Sequence, residues 1–223
     1  MLGRGTVRFG KLRYGEAWSG RVRHGEARQG KGTFMKTIEV EIRGTSPLLI
    51  HRFNEDTEQQ KSSRKIEVER PDPRAQALKA AYVAKDGTFY FSAFSIPGAM
   101  RNAGSNHKMR GTRKTLRFVV PSAVRVNAET ITILNGDGPA KDFEVDARPV
   151  TIPATKGRVM RYRPRFDFWG AKFSLVVDDS AISIDDVHAL LNEAGALFGI
   201  GDFRPEKGGP FGCFRVTKFE ELK

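Results

Sequence analysis

The sequence predicts an α+β fold in which an antiparallel sheet carries helices on one face. Residues 36–43 alternate apolar and polar side chains, which is the period of a half-buried strand. Residues 171–177 are strongly apolar and predict a central strand, while residues 183–198 place apolar side chains at helical spacing. Ser183 and Asp186 fit a variant of the capping box and predict the start of this helix. The final pattern, residues 212–219, predicts a strand that lies beside the first one.

The chain is long enough to bury one sizeable core. Its 223 residues favour a single domain with insertions over two domains. Hydrophobic residues make up 39% of the sequence, and no run approaches the roughly 18 apolar residues that a transmembrane helix requires. The single cysteine, Cys213, excludes an intrachain disulfide and a multi-cysteine zinc site. We therefore expect a soluble, cytoplasmic protein with no membrane partner.

The net charge of +12 makes a polyanion the first partner to consider. Half of it falls in residues 1–34, where eight Lys and Arg face only Glu16 and Glu26, a net of +6. Glycine recurs there every five residues, a period that fits neither helix nor strand. We expect a flexible basic leader over 1–34, which is either an electrostatic arm or a segment with no structural role, and an ordered domain over 35–223.

The segments after the first strand supply a candidate base and an insertion. The apolar run 47–50 ends at His51, which is a candidate general base, although a lone histidine beside an apolar run is usually structural. Residues 54–73 are polar, charged and closed by two prolines, so they predict a mobile surface insertion. A helix is predicted over 73–85, then a strand over 88–91 and a short helix over 95–104 that is capped by Ser95.

The first basic cluster follows the short helix. Arg101 and Asn102 lie on its last turn, and residues 105–115 hold four basic side chains and no acid. These four are Lys108, Arg110, Arg113 and Lys114. A solvated loop is the plain interpretation, but the lack of any amphipathic pattern favours contact with phosphates.

The second basic cluster follows strands predicted over 116–120, 123–126, 130–134 and 143–152, the last partly at an edge because of its proline. Its cations are Lys156, Arg158, Arg161, Arg163 and Arg165. In an extended backbone the last three project from one face, which predicts a cationic strand. Aromatic neighbours either stack on bases or fill the core, and for Phe166 and Trp169 we favour the core.

Residues 199–212 form a glycine-rich loop that also carries Arg204 and Lys207. One interpretation is that its glycines, Gly208 and Gly209 among them, leave successive backbone N–H groups free to face a phosphate. The other is that the glycines only permit a tight turn. The residues alone favour neither interpretation.

The order of strand, helix, strands, helix, glycine-rich loop and final strand fits a ferredoxin-like or RRM-like sheet. Residues 35–223 resemble the RAMP superfamily, especially the crRNA-backbone subunits of CRISPR effector complexes and their phage-borne relatives. Three motifs carry this resemblance in the family's order: Ser46-Pro-Leu-Leu-Ile50, Ile96-Pro-Gly-Ala-Met-Arg101, and Gly199-Ile-Gly201 followed by Gly208-Gly-Pro-Phe-Gly212. The last departs from the family's tight Gly-aromatic-Gly ending.

The resemblance implies an RRM-like palm, a thumb formed by the insertion 54–73, and head-to-tail assembly of copies along single-stranded RNA beside other effector subunits. It implies no cofactor. We predict a noncatalytic single-stranded nucleic-acid binder, RNA before DNA. The predicted contacts are Arg101, Asn102, Lys108, Arg110, Arg113, Lys114, Arg158, Arg161, Arg163, Arg204, Lys207, Gly208 and Gly209.

Three alternatives stay open at this point. The first is a metal-independent endoribonuclease that uses His51 or His107 as its base. The second is a phage protein that anneals or protects single-stranded DNA, and the third is a structural protein whose basicity only aids solubility. A metal-dependent nuclease is disfavoured because Asp137, Asp142 and Asp146 are scattered over turn and strand, so no metal site is predicted.

Overall fold

The computed structural model of the chain describes residues 35–52, 72–151 and 157–222. The predicted leader 1–34, nearly all of the predicted insertion 54–73, and Lys156 lie outside the described residues. No helix within the three described ranges is long and apolar enough to cross a bilayer.

The described chain is a mixed α+β structure with antiparallel sheets and few helices, as predicted. The strands are β1 (Met35–Gly44), β2 (Leu48–Leu49), β3 (Tyr90–Ser92), β4 (Val124–Val126), β5 (Thr130–Thr132), β6 (Leu134–Asn135), β7 (Gly138–Pro139), β8 (Glu144–Thr151), β9 (Arg158–Phe166), β10 (Gly170–Asp178) and β11 (Phe214–Leu222). The α-helices are α1 (Pro73–Lys79), α2 (Ser95–Ala103), α3 (Val120–Ala123) and α4 (Ile184–Glu193).

The main sheet has the order β11-β1-β10-β6-β7, and β4 also pairs with β10. β1 is antiparallel to both β10 and β11, which confirms that the last strand lies beside the first. The alternation in β1 explains its place, because Ile38, Val40 and Ile42 are all at most 1% exposed. Smaller sheets are formed by β2-β9-β8 and by β3-β5.

The amphipathic helices fill the space against these strands. α2 buries Ile96, Met100 and two alanines and contacts α4. α4 begins as predicted, with the Ser183 hydroxyl accepting a hydrogen bond from the Asp186 N–H. Phe166 and Trp169 are 5% and 3% exposed, so the prediction that they belong to the core is confirmed.

Two element predictions are wrong for reasons of local chemistry. Residues 116–120 form a 3₁₀ turn and enter α3 rather than a strand, because Pro121 suits the first turn of a helix and cannot donate to a ladder. The helix predicted to reach residue 85 ends at Lys79. Beyond it Val83 pairs with Phe89, since the Asp86-Gly87 turn closes a hairpin instead.

Candidate nucleic-acid interface

A cleft of about 560 Å³ opens between the first turns of α2, the segment after β2 and the glycine-rich loop. It is the place where the two distant parts of the predicted binding site meet. Its polar and charged side chains are His51, Ser92, Ser95, Arg101, Asn102, Asp202, Arg204 and Glu206. The structure therefore brings Arg101 and Asn102 together with Arg204, His51 and the start of the glycine-rich loop.

Helix α2 aims its polar side at this cleft because its opposite side is anchored. Ile96, Ala99 and Met100 are buried, while Phe94 and Arg101 are exposed on the remaining stripe. Phe94, rather than the predicted Ser95, occupies the N-cap position, and no side chain caps this helix. The guanidinium of Arg101 makes no ion pair with any described residue, so it is available to an anion.

His51 lies exposed at the mouth of the cleft, yet its surroundings favour the neutral imidazole. Partial burial lowers its pKa, and the positive charges of Arg161 and Arg163 lower it further, against the opposing charge of Asp202. The ring is thus uncharged at neutral pH. These interactions also place Arg161, an exposed residue of β9, within electrostatic reach of the cleft.

The glycine-rich loop does not present a row of free N–H groups. Ile200 donates to the Gly212 carbonyl at 2.9 Å, Asp202 to Leu49 at 2.8 Å, and Gly212 to Pro47 at 2.8 Å. The backbone N–H groups of residues 199, 207, 208, 209 and 211 likewise donate within the protein. The interpretation of the loop as an anion cradle is therefore wrong for most of its length, including Gly208 and Gly209.

Close packing explains the glycines instead. A Cβ on Gly209 would lie 1.8 Å from the carbonyl oxygen of Phe203, and a Cβ on Gly212 equally close to that of Ile200. At these two positions the loop packs against its own backbone and leaves no room for a side chain. Gly208 differs, since it has open space around it but a φ of +77°, a conformation that favours glycine.

The loop's own cations are unequal. Arg204 pairs with Glu206 at 2.7 Å and donates to the Gly201 carbonyl at 3.0 Å, so its charge is largely satisfied. Lys207 is exposed and does not line the cleft. Of the two predicted contacts, Arg204 lies in the cleft and Lys207 outside its lining.

The predicted cationic row on β9 is interrupted at Arg163. This side chain is buried, with its Nε 2.6 Å from Asp202 and its Nη1 3.7 Å from Asp146. The Asp202 approach is an ion pair without good hydrogen-bond geometry, because neither Arg163 Nε nor Asp202 Oδ2 completes a hydrogen bond. Arg163 therefore ties β9 to the glycine-rich loop and is not a surface contact for phosphate.

Strand register explains why Arg163 is paired within the protein while Arg161 is exposed. β8 pairs with β9 so that Asp146 lies opposite Arg163 and Glu144 opposite Arg165. Asp146 on the neighbouring strand thus pairs with Arg163, which looks unopposed within its own segment, whereas Arg165 pairs with Asp167 in its own segment. Arg161 faces Arg148 instead and stays exposed, as does Arg158 at the start of β9.

The basic loop 105–115 is held to α4 at its beginning. Asn106 and His107 both bond to the Glu193 carboxylate. Burial of that carboxyl opposes ionisation, but the two hydrogen bonds outweigh it and lower the Glu193 pKa. His107 thus anchors this loop to α4, and it does not line the cleft. Lys108, Arg110, Arg113 and Lys114 are exposed beyond it and do not line the cleft.

Sequence reasoning missed Phe94. Its ring is 78% exposed and lines the cleft, as Arg101 does two helical turns further on. The sequence did hold a signal for it. Phe94 is a second aromatic residue three positions after Phe91, at the start of a helix, and Phe91 already fills the core there.

Among the described residues, no three His, Cys, Asp or Glu side chains lie close enough to hold a metal ion.

No known family model matches the chain, and no curated protein matches its sequence. Solved structures do resemble it. A chain of the type III-B Cmr-beta complex, solved bound to cognate target RNA, aligns with a TM-score of 0.50 and 12% identity over 85% of this chain and 61% of that one. The fold resemblance to a CRISPR effector-complex subunit is confirmed. This chain spans about three fifths of the length of that relative.

Cmr6 from Pyrococcus furiosus also aligns, with a TM-score of 0.44 and 10% identity over 83% of this chain and 99% of Cmr6.

Proposed function

We propose that this chain binds single-stranded nucleic acid, RNA in preference to DNA, as a noncatalytic subunit of a CRISPR-type ribonucleoprotein. The observation that carries the proposal is the cleft in which unpaired Arg101, Asn102 and the exposed ring of Phe94 converge. Proteins that bind single strands combine cations that follow the backbone with aromatic rings that stack on bases. The Cmr-beta structure that contains the similar chain was solved bound to cognate target RNA, which makes RNA the first ligand to test.

Further exposed cations lie outside the cleft lining and are available to phosphates. Lys108, Arg110, Arg113 and Lys114 make no ion pair with any described residue, and neither do Arg158 and Arg161 on β9. Arg163 and Arg204, by contrast, are neutralised within the protein. We therefore assign phosphate binding first to Arg101, which lines the cleft, then to Arg161, whose charge acts on His51, and then to the basic loop 105–115.

The finer architecture also belongs to the proposal. We infer a ferredoxin-like palm, which the order β11-β1-β10-β4 and the intervening helices α2 and α4 support. We further infer that 1–34 is a leader, that 54–73 is a thumb-like insertion, and that copies assemble head to tail along the strand with other effector subunits. A cytoplasmic location fits the single Cys213.

Purification without nuclease treatment, followed by sequencing of the copurifying nucleic acid, tests the proposal. RNA of defined length with a constant end is the expected result. Affinities for labelled single-stranded RNA and DNA of the same sequence then show which nucleic acid is preferred. The Arg101→Gln variant should bind more weakly, and Arg215→Gln, at an exposed arginine of β11, serves as its control. A wild-type protein that binds neither strand would refute the proposal.

A metal-independent endoribonuclease is the second candidate, and one observation favours it. His51 is neutral at neutral pH and lies in the same cleft as the positive charge of Arg101. Cleavage of a labelled hairpin RNA in EDTA, lost in His51→Ala, would establish this activity. Intact RNA that stays bound to both proteins would leave the binding role alone.

A further inference from the structure

A second cleft of about 300 Å³ lies next to the first, across the exposed stripe of α2. Its walls are mostly apolar, with Pro97, Pro121 and Val124 among them, and two arginines, Arg101 and Arg125, line it without any carboxylate. Its volume is at the lower end of small-molecule sites, about 300 Å³. It therefore has room for one planar group rather than for a folded chain.

The two clefts share the same divider. Phe94, Gly98 and Arg101 line both of them, and their spacing along α2 places them on one stripe of the helix surface. The buried Ile96 and Met100 fix the other side of this helix. The divider is thus a rigid ridge with an aromatic ring at one end, a guanidinium at the other, and a gap at Gly98 between them.

Gly98 is not required by packing. A Cβ at this position would meet nothing within 4 Å, and its φ is not in the left-handed region. Glycine inside a helix lowers helix stability relative to alanine. The absence of a side chain leaves the passage between the two clefts open. Binding of a strand across this passage would explain a glycine that packing does not require.

Two arginines, one on the ridge and one beyond it, suit a polyanion that crosses the ridge. Neither Arg101 nor Arg125 makes an ion pair with another described residue, so one unpaired guanidinium lies on the ridge and another beyond it. A phosphate at each would be joined by a backbone that passes over Gly98. The ring of Phe94, 78% exposed, offers its face to a base at the crossing.

We propose that the second cleft is a nucleobase subsite. The strand held in the first cleft crosses the ridge at Gly98, one base stacks on Phe94 and enters the apolar cleft, and Arg125 binds the phosphate beyond it. This inference rests on the proposed function and adds to it a binding register at a fixed position of the strand.

The test uses the full chain and short single-stranded oligoribonucleotides that carry one 2-aminopurine at successive positions. The variants are Phe94→Ala, Arg125→Gln and Gly98→Leu. The controls are Phe118→Ala, whose ring is 72% exposed away from both clefts, and Gly138→Leu, at an equally open glycine. Circular dichroism checks that each variant is folded.

We expect one labelled position to be quenched by wild-type protein and to lose the quenching in Phe94→Ala and Gly98→Leu. Affinity should fall about tenfold in Phe94→Ala, within the range for loss of one base–aromatic stack. Both controls should bind within twofold of wild type.

Two outcomes separate this inference from the proposed function. If wild type binds and Arg101→Gln weakens binding, but all three ridge and subsite variants bind and quench like wild type, the subsite does not exist. The same result together with loss of subunit assembly would assign the cleft to a neighbouring protein and also overturn the inference. If the wild-type protein binds no oligonucleotide, the proposed function is refuted, and the subsite that rests on it is refuted as well.

Discussion

Replacement of Arg163 by methionine should destabilise the whole protein, although the residue was predicted to be a surface contact. The substitution keeps an apolar stem of similar length and removes the guanidinium. It leaves Asp146 and Asp202 without the cation between them. Asp146 is only 5% exposed, so its carboxylate has little access to water.

The structure sets the magnitude. Removal of one partner from a buried ion pair costs about 3–5 kcal/mol. The lower end applies here, because Arg148 still donates to Asp146 at 2.7 Å and about a third of the Asp202 side chain is exposed. We therefore expect a loss of about 3 kcal/mol in unfolding free energy, or roughly 6–12 °C in Tm for a domain of this size.

Urea unfolding followed by circular dichroism measures the loss, with Arg161→Met as the control. Arg161 lies two residues away on the same strand but is exposed, so its substitution should change stability by less than about 0.5 kcal/mol. The double variant Arg163→Met with Asp202→Asn should recover part of the loss, since one uncompensated charge is gone. If Arg163→Met and Arg161→Met are equally stable, the role assigned to the buried pair is refuted.

Three further predictions test separate parts of the site. Gly209→Ala should unfold the glycine-rich loop and lower Tm far more than Gly208→Ala, which costs about 1 kcal/mol for its positive φ; thermal melts compare the two. Arg101→Gln should make the salt slope of single-strand binding shallower by about 0.7, the value for one phosphate contact, as measured by titration at several salt concentrations. The folded pKa of His51 lies below its unfolded value, so the unfolded chain takes up a proton first as pH falls. Its contribution to stability is present above the unfolded pKa and is lost below it, and His51→Gln should flatten the fall in stability between neutral and mildly acidic pH.

Local patterns predicted the elements better than the site. The alternation at Ile38, Val40 and Ile42 and the cap at Ser183 depend on neighbours within a few residues, and both predictions hold. The four cations of the basic loop 105–115 are exposed, while their contact with phosphates stays a prediction. The role of His107 was not accessible in this way, because its partner Glu193 is distant in the chain.

The sequence by itself determined the α+β class, the place of the last strand beside the first, and the excess of positive charge, since these follow from periodicity and composition. Only the tertiary structure decided which cations remain available. Arg161 and Arg163 are two residues apart and alike in sequence, but strand register sets Arg148 opposite one and Asp146 opposite the other. Pairing across a sheet depends on residues that are far apart in the chain. The same holds for the glycine-rich loop, whose N–H groups donate to the carbonyl oxygens of Pro47 and Leu49.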